Sequence, residues 1–193
     1  MASTCAITLF IKKKFLGFSL YKDLYYLTSV IEGQKPPVAA VIGGVKASSK
    51  MSLLRFLAYK VDKILIGGAM VFTFYKALDF HVGGSYVDEE AIDDARRLIE
   101  LCKDQCSFIL APDAITIPTE VKKNSYEDAK HGKISVDCRG FPIGQEAMDV
   151  GNRTIEFFKS ELDSCNTIFF NGKKTQLMIS KFMLYYDRTI GKI

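Results

Sequence analysis

Four short apolar runs, three of them closed by a glycine turn, restrict this chain to few architectures. Val38–Ile42 (VAAVI) ends in Gly43-Gly44, and Lys63–Ile66 (KILI) ends in Gly67-Gly68. Ser107–Ala111 (SFILA) and Thr167–Phe170 (TIFF) follow, the last stopped by Asn171-Gly172. None alternates apolar with polar. Runs of this length without alternation read as strands buried on both faces, the habit of parallel sheets. Helical periods fill the gaps. Met51, Leu54, Leu57 and Val61 form one stripe, and residues 70–78 can form the next helix. Ile92, Ala95, Ile99 and Cys102 step cleanly after Asp88-Glu89-Glu90, acids that suit a helix N-terminus. Ile155, Phe158, Leu162 and Cys165 make a further stripe. Ser48 and Ser49 stand where a cap belongs. Strands alternating with helices predict an α/β fold of three layers, α/β/α, around one parallel sheet. Residues 112–150 lack a clear period and read as loops with one strand around Ile134–Val136.

The charge is uneven. The chain of 193 residues carries a formal net charge of +4. Residues 1–22 hold four Lys and no acid, and residues 173–193 hold five basic residues and one Asp. The body between them, 23–172, is therefore net acidic, with 17 basic and 21 acidic residues. An acidic body argues against a nucleic-acid partner, which needs a basic face. No apolar run reaches the length of a membrane span, so no membrane partner is expected. Five cysteines, an odd number at irregular spacing, argue against a disulfide framework and for reduced thiols in a cytoplasmic setting. The acid-free start shares one trait with plastid-type transit peptides but lacks Arg and is poor in Ser, which keeps a plastid as the alternative. Cys102 and Cys106 are four apart, but no histidine lies near them, so no metal ligand is assigned.

In an open α/β sheet, ligands bind beyond the carboxyl ends of the strands. Three of those ends here carry Gly43-Gly44, Gly67-Gly68 and Asn171-Gly172. Glycine lets a ligand approach the backbone closely. A helix beginning near Ser48 would present free N–H groups there, and Lys46 and Lys50 would lie near its entrance. Two such cations can neutralise charge on a polyphosphate during transfer. Two solvated surface lysines are the plainer reading of the same spacing. GxxxxGK[ST], GxGxxG and HExxH are all absent.

The strings GGVKASSK (43–50), IGGAMVFTFYKA (66–77), MDVG (148–151) and FFNG (169–172), in this order and at these separations, resemble phosphoglycerate kinase. The resemblance starts near GFSLYKDLYYL (17–27) and runs to Gly172. It implies an incomplete C-terminal domain of that family's fold, Rossmann-like. Residues 1–16 would be a divergent extension, 17–172 a nucleotide-binding domain and 173–193 a divergent tail. It implies MgADP or MgATP as ligand, and transfer of the acyl phosphate of 1,3-bisphosphoglycerate to ADP. Lys46 would stabilise the transferring phosphoryl group, and Lys50 would hold nucleotide phosphates. Gly44, Gly67, Gly68 and Ala69 would wall the adenine and ribose, with Tyr86 and Met148 at apolar adenine positions and Asn171 near the phosphates.

The chain departs from the family pattern at several points. A triple glycine becomes Gly67-Gly68-Ala69, and GWMGLD becomes Gly144-Gln145-Glu146-Ala147-Met148-Asp149. The glutamate expected at the ribose is Met178. A later GGGD[ST] segment with the family's metal-binding aspartate has no counterpart in these residues, nor does the phosphoglycerate-binding domain. The expectation is a chain that does not turn over alone, with 1,3-bisphosphoglycerate or 3-phosphoglycerate a partner only if another half supplies its site. A nucleotide-binding remnant or an interaction module is the alternative. An uncovered sheet edge, partly screened by Leu177–Tyr186, would favour self-association.

Overall fold

The computed structural model describes residues 7–32, 35–119 and 134–172. The chain divides into two compact units, Met1–Gln34 and Lys35–Ile193. In the first, α1 (Ile7–Phe10) is a single turn and α2 (Phe18–Glu32) spans 15 residues. The Tyr21 N–H donates to the Gly17 carbonyl at the entrance to α2.

In the second unit the chain runs through β1 (Val38–Gly43), α3 (Met51–Ala58), β2 (Lys63–Gly67), α4 (Val71–Ala77), α5 (Ile92–Gln105) and β3 (Ser107–Leu110). It continues through β4 (Asp113–Pro118), β5 (Ile134–Asp137), β6 (Gln145–Val150), α6 (Asn152–Asp163) and β7 (Thr167–Asn171). The four expected strands form one parallel sheet in the order β3-β2-β1-β7. β1 is central. Val38–Ile42 are at most 2% exposed, which is why the run carries no polar alternation. Right-handed crossovers from β1 to β2 and from β2 to β3 run in one direction, placing α3, α4 and α5 on one face. α5 packs against both α3 and α4. The crossover through α6 returns to the other side of β1 and so puts α6 on the opposite face. The result is the expected three-layer α/β/α arrangement.

Residues 112–150 correct the reading of loops with one strand. β4, β5 and β6 form an antiparallel sheet in the order β5-β4-β6. β5 matches the expected strand; β4 and β6 were not expected. In β4 the buried positions include Asp113 and Thr116, which break the apolar pattern. In β6, Ala147 pairs with Thr116 and Asp149 with Ile115, so Met148 is an extra residue in a β-bulge. A bulge shifts the side-chain phase by one and erases the period of two.

Asp113 explains how α6 starts. Its buried carboxylate accepts hydrogen bonds from the N–H groups of Arg153 (3.2 Å) and Thr154 (2.7 Å) and from the Thr154 hydroxyl (2.6 Å). These donors belong to the first turn of α6, where helix N–H groups lack internal partners. Gly151 makes room for this cap, because a Cβ there would overlap the Asp113 carboxylate. The far end of α6 is tied to the start of β2. The Lys63 ammonium donates to the Glu161 carboxylate (2.7 Å), the Glu161 carbonyl and the Ser164 hydroxyl.

Asp113→Ala removes a remote cap and strands buried donors, and should cost about 1–3 kcal/mol in urea unfolding. Gly151→Ala should cost a similar amount by displacing the same carboxylate. The double variant should cost clearly less than the sum of the two; full additivity would show that the two residues act separately.

Candidate functional site

Strand order reverses direction between β1 and β7, since the chain adds β2 and β3 on one side of β1 and β7 on the other. The crevice beyond the carboxyl ends at such a reversal is where open α/β sheets hold ligands. Here the backbones come very close. A Cβ on Gly172 would lie 3.4 Å from both the Gly43 Cα and N, and one on Gly43 would lie 3.8 Å from the Gly67 carbonyl oxygen. Gly68 has φ +71°, and a Cβ there would lie 3.0 Å from the Gly44 carbonyl oxygen. That same carbonyl accepts the Met70 N–H at 3.0 Å. Glycine at 68 is therefore required twice, by conformation and by contact.

Side chains then cross the crevice. The Lys50 ammonium, carried just after β1, donates to Asn171 Oδ1 at the end of β7 over 2.5 Å. The Lys50 Cε also neighbours Gly44, 4.0 Å from where its Cβ would stand, just behind the Met70 sulfur at 3.7 Å. Gly44, Lys50, Gly67, Gly68 and Asn171 are thus brought to one place. Lys46 is exposed on the connection between them.

The entrance to α3 differs from expectation. Residues Ser48–Lys50 form a 3₁₀ turn, and neither serine caps it; the Ser49 hydroxyl donates to the Lys46 carbonyl at 2.9 Å. The cap is Asp88. Its carboxylate accepts the Ser48 N–H at 2.9 Å, and its own N–H donates to the buried Thr73 hydroxyl at 3.0 Å. An N–H expected to face a phosphate is already engaged. Burial works against the ionised Asp88, but hydrogen bonds from the Ser48 N–H and hydroxyl and the positive charge of Lys46 outweigh it and hold the carboxyl below its ordinary range. Asp88 and Thr73 were not legible as site-building residues. Asp88 suited the start of the following helix equally well, and Thr73 sits inside an apolar stripe.

Tyr86 and Met148 belong to two segments joined by backbone and side-chain hydrogen bonds. The Ser85 hydroxyl accepts the Ala147 N–H at 3.2 Å, and the Gly84 N–H donates to the Gln145 carbonyl at 2.8 Å. Tyr86 thus lies next to the bulge of β6 in a segment bonded to it, and it is 39% exposed. Gly68 and Ala69 share a small cavity with Ala147 and Asp149, so this segment adjoins the end of β2. A wider cavity, lined by Tyr75, Phe80, Phe108, Arg139 and Phe157 among others, lies at the β3 edge and contains none of the expected site residues. Among the described residues no helix is long and apolar enough to cross a membrane. Met178 and Leu177–Tyr186 lie outside the described residues.

Gly68→Ala should destabilise the fold by about 1–3 kcal/mol, read as a lowered urea midpoint. A pH series tests Asp88. A depressed carboxyl stabilises the fold fully above the ordinary value of about 3.9 and loses that contribution as pH falls below it, towards the lower folded value. Asp88→Asn should lower stability at neutral pH and flatten its decline below about pH 4.

Comparison with known proteins gives one consistent answer. The family model for phosphoglycerate kinase matches residues 1–183. The chain is 36% identical over 181 residues to the phosphoglycerate kinase of Acaryochloris marina, covering 94% of this chain and 44% of the relative. It is 38% identical over 186 residues to that of Prochlorococcus marinus strain MIT 9515, with the same two coverages. The chain thus spans less than half the length of these relatives. Its fold is similar to the structure of phosphoglycerate kinase from Coxiella burnetii, with a TM-score of 0.72 and 27% identity over 86% of this chain and 41% of that one. The enzyme from Pyrococcus horikoshii shares the fold at a TM-score of 0.61 and 21% identity, over 81% of this chain and 38% of that one. With three of its four resembling strings at the carboxyl ends of β1, β2 and β7 and the fourth ending β6, the chain belongs to the phosphoglycerate kinase family.

Proposed function

We propose that this chain holds a nucleoside polyphosphate, MgADP or MgATP, as the nucleotide-binding part of a phosphoglycerate kinase. The observation that carries the reading is the Lys50–Asn171 hydrogen bond across the β1/β7 crevice, beside backbones kept bare by glycine. The residues present fit a polyphosphate. Lys46 and Lys50 supply charge, the Asn171 amide supplies polar atoms, and Gly44 and Gly67-Gly68 leave the backbone open to close approach. Tyr86, Met148 and Ala69 supply an apolar border for a base. The divalent ion would arrive on the phosphates and screen their charge; no side chain of this chain is assigned to it. The domain extent 17–172 belongs to the same proposal.

In this reading Lys50 orients the phosphates together with Asn171, and Lys46 neutralises charge on the phosphoryl group in transit between 1,3-bisphosphoglycerate and ADP. The reaction serves glycolysis or carbon fixation, in the cytoplasm or a plastid. Transfer also needs the second reactant held in line. Such positioning can be worth roughly 7–11 kcal/mol of barrier. No residue of this chain is assigned to phosphoglycerate, so these 193 residues alone would bind nucleotide without turnover.

Titration of MgADP into the purified chain should show saturable binding. Lys46→Ala with Lys50→Ala should weaken it more than tenfold, since each charge-assisted bond contributes roughly 1.5–3 kcal/mol. Unchanged binding by the folded double variant would mean two solvated surface lysines. With MgADP and 1,3-bisphosphoglycerate the chain should form no ATP above background; ATP lost on Lys46→Ala would reveal a second substrate site. Among the described residues β7 pairs on one side only. If that edge is open in solution it favours pairing with another copy, and sedimentation velocity should then show mass rising with concentration.

A further inference from the structure

One edge of the parallel sheet forms the floor of a groove. Among the described residues β3 pairs only with β2, so its outer side carries no strand. The Ser107 N–H donates to the Asp62 carbonyl at 2.9 Å, and the Ala111 N–H donates to the Ile66 carbonyl at 3.1 Å. Backbone groups alternate sides along a parallel strand, so the N–H and C=O groups of Phe108 and Leu110 face away from β2. Helical layers wall the edge on both sides. Phe108 and Leu110 share one face of β3, and the Phe108 ring centroid lies 5.2 Å from that of Phe74, so this face looks to α4. A cavity of about 560 Å³ runs from Tyr75, Leu78 and Phe80 past β3 to Arg153 and Phe157 on α6. A second, of about 180 Å³, shares Leu78, Phe108 and Leu110 with it and continues to Lys103 on α5. Leu78 is 40% and Phe157 39% exposed, so both walls present apolar surface.

The groove turns basic at the carboxyl end of β3. Arg139 and Arg153 line it there with Pro112, the second residue after the strand. The Arg153 guanidinium stands 3.5 Å from the Asp137 carboxylate. The buried Asp113 carboxylate is committed to the first turn of α6. Arg139 is exposed and has no ion-pair partner among the described residues. One positive charge is therefore left uncompensated at this end. At the other end the Lys103 ammonium is paired with Glu100 at 2.6 Å.

We propose that the β3 edge docks an extended segment of another polypeptide, apolar in its middle and carrying a carboxylate at the end beside Arg139. The outward backbone groups of β3 recur every second residue, roughly 6.6 Å apart, a spacing that another extended backbone matches. Main-chain hydrogen bonds then supply affinity, and side-chain pockets and charge supply specificity. The two apolar walls take side chains from both faces of the added strand, as they do for a strand inside the sheet. Charge sets the sign of the partner. Residues 173–193, with five basic residues and one Asp, carry the wrong sign for Arg139. The sheet order puts β3 at the opposite end from β7, so docking leaves the β1/β7 crevice open.

The test titrates the folded 193-residue chain against a fluorescein-labelled hexapeptide, EVIVTE, with anisotropy as the readout. Binding should saturate with a Kd below about 1 mM. The same peptide N-methylated at its four central residues should not bind, and KVIVTK should bind more weakly. The Phe108 and Leu110 amides, resolved by nuclear magnetic resonance, should exchange with solvent more slowly once EVIVTE is added. Arg139→Glu, checked for folding by circular dichroism, should weaken EVIVTE roughly fivefold and reverse the preference in favour of KVIVTK. The peptide comparison on the wild-type chain stands without that variant. Absence of saturable binding overturns the proposal. So does equal binding of the N-methylated peptide, which would mean apolar contact without strand addition, or equal binding of KVIVTK. Amides of Phe108 and Leu110 already protected before peptide is added would mean that a second copy or another segment of the chain holds the edge, and would overturn it as well.

Discussion

Backbone lies against backbone at the carboxyl ends of β2, β1 and β7, and the rest of the second unit is arranged around that contact. Gly43, Gly44, Gly68 and Gly172 bring main chain together so that a Cβ would press on the Gly44 backbone at Gly68 and touch the Gly43 backbone at Gly172. Three parallel strands can then end level with one another, and the segments after them leave through one shared opening. Lys50 and Asn171 meet because β1, which leads into the 3₁₀ turn carrying Lys50, lies beside β7 with Ile42 opposite Asn171. The polar crossing is a consequence of the glycine contact and of the order β2-β1-β7.

Around this opening the chain uses buried carboxylates in place of local caps. Asp88 reaches the start of α3 across 40 residues, and Asp113 reaches the start of α6 across 40 and 41. A carboxylate accepting backbone N–H groups at a helix start gains from both hydrogen bonding and the helix dipole. Because the acceptor lies on a different element, each bond also fixes one element against another. Asp88 joins the α4–α5 connection to the loop after β1, with Thr73 holding its backbone from α4. Asp113 joins the second sheet to α6, and α6 leads directly into β7 and Asn171.

Much of this was legible because burial writes itself into the sequence. VAAVI and KILI are apolar throughout because both sheet faces are covered, and the stripes of α5 and α6 follow the period of 3.6. The Gly pairs marked the strand ends, where the structure brings Gly44, Lys50, Gly67, Gly68 and Asn171 together. What escaped was long-range or out of phase. β4 hides buried Asp113 and Thr116 among its apolar residues, and in β6 the bulge at Met148 breaks the alternation. Asp88 beside Glu89 and Glu90 reads as the acidic start of α5, and nothing local says that its carboxylate serves Ser48. Ser48 and Ser49 have the chemistry of caps, but a tertiary partner of greater charge took the role.

The Asp88 cap also changes how the lysines meet an anion. Its carboxylate sits within electrostatic reach of Lys46, so the entrance already contains a negative group of the protein's own. In the proposed site an incoming phosphate would not meet Lys46 as an uncommitted cation. It competes for that charge with a resident carboxylate that is anchored on two sides and cannot leave. If Lys46 serves a phosphate as proposed, the nearby carboxylate reduces its pull, which weighs more against a singly charged anion than against a polyphosphate. In the proposed site, a structural tie holding two elements together would thus double as a filter on ligand charge.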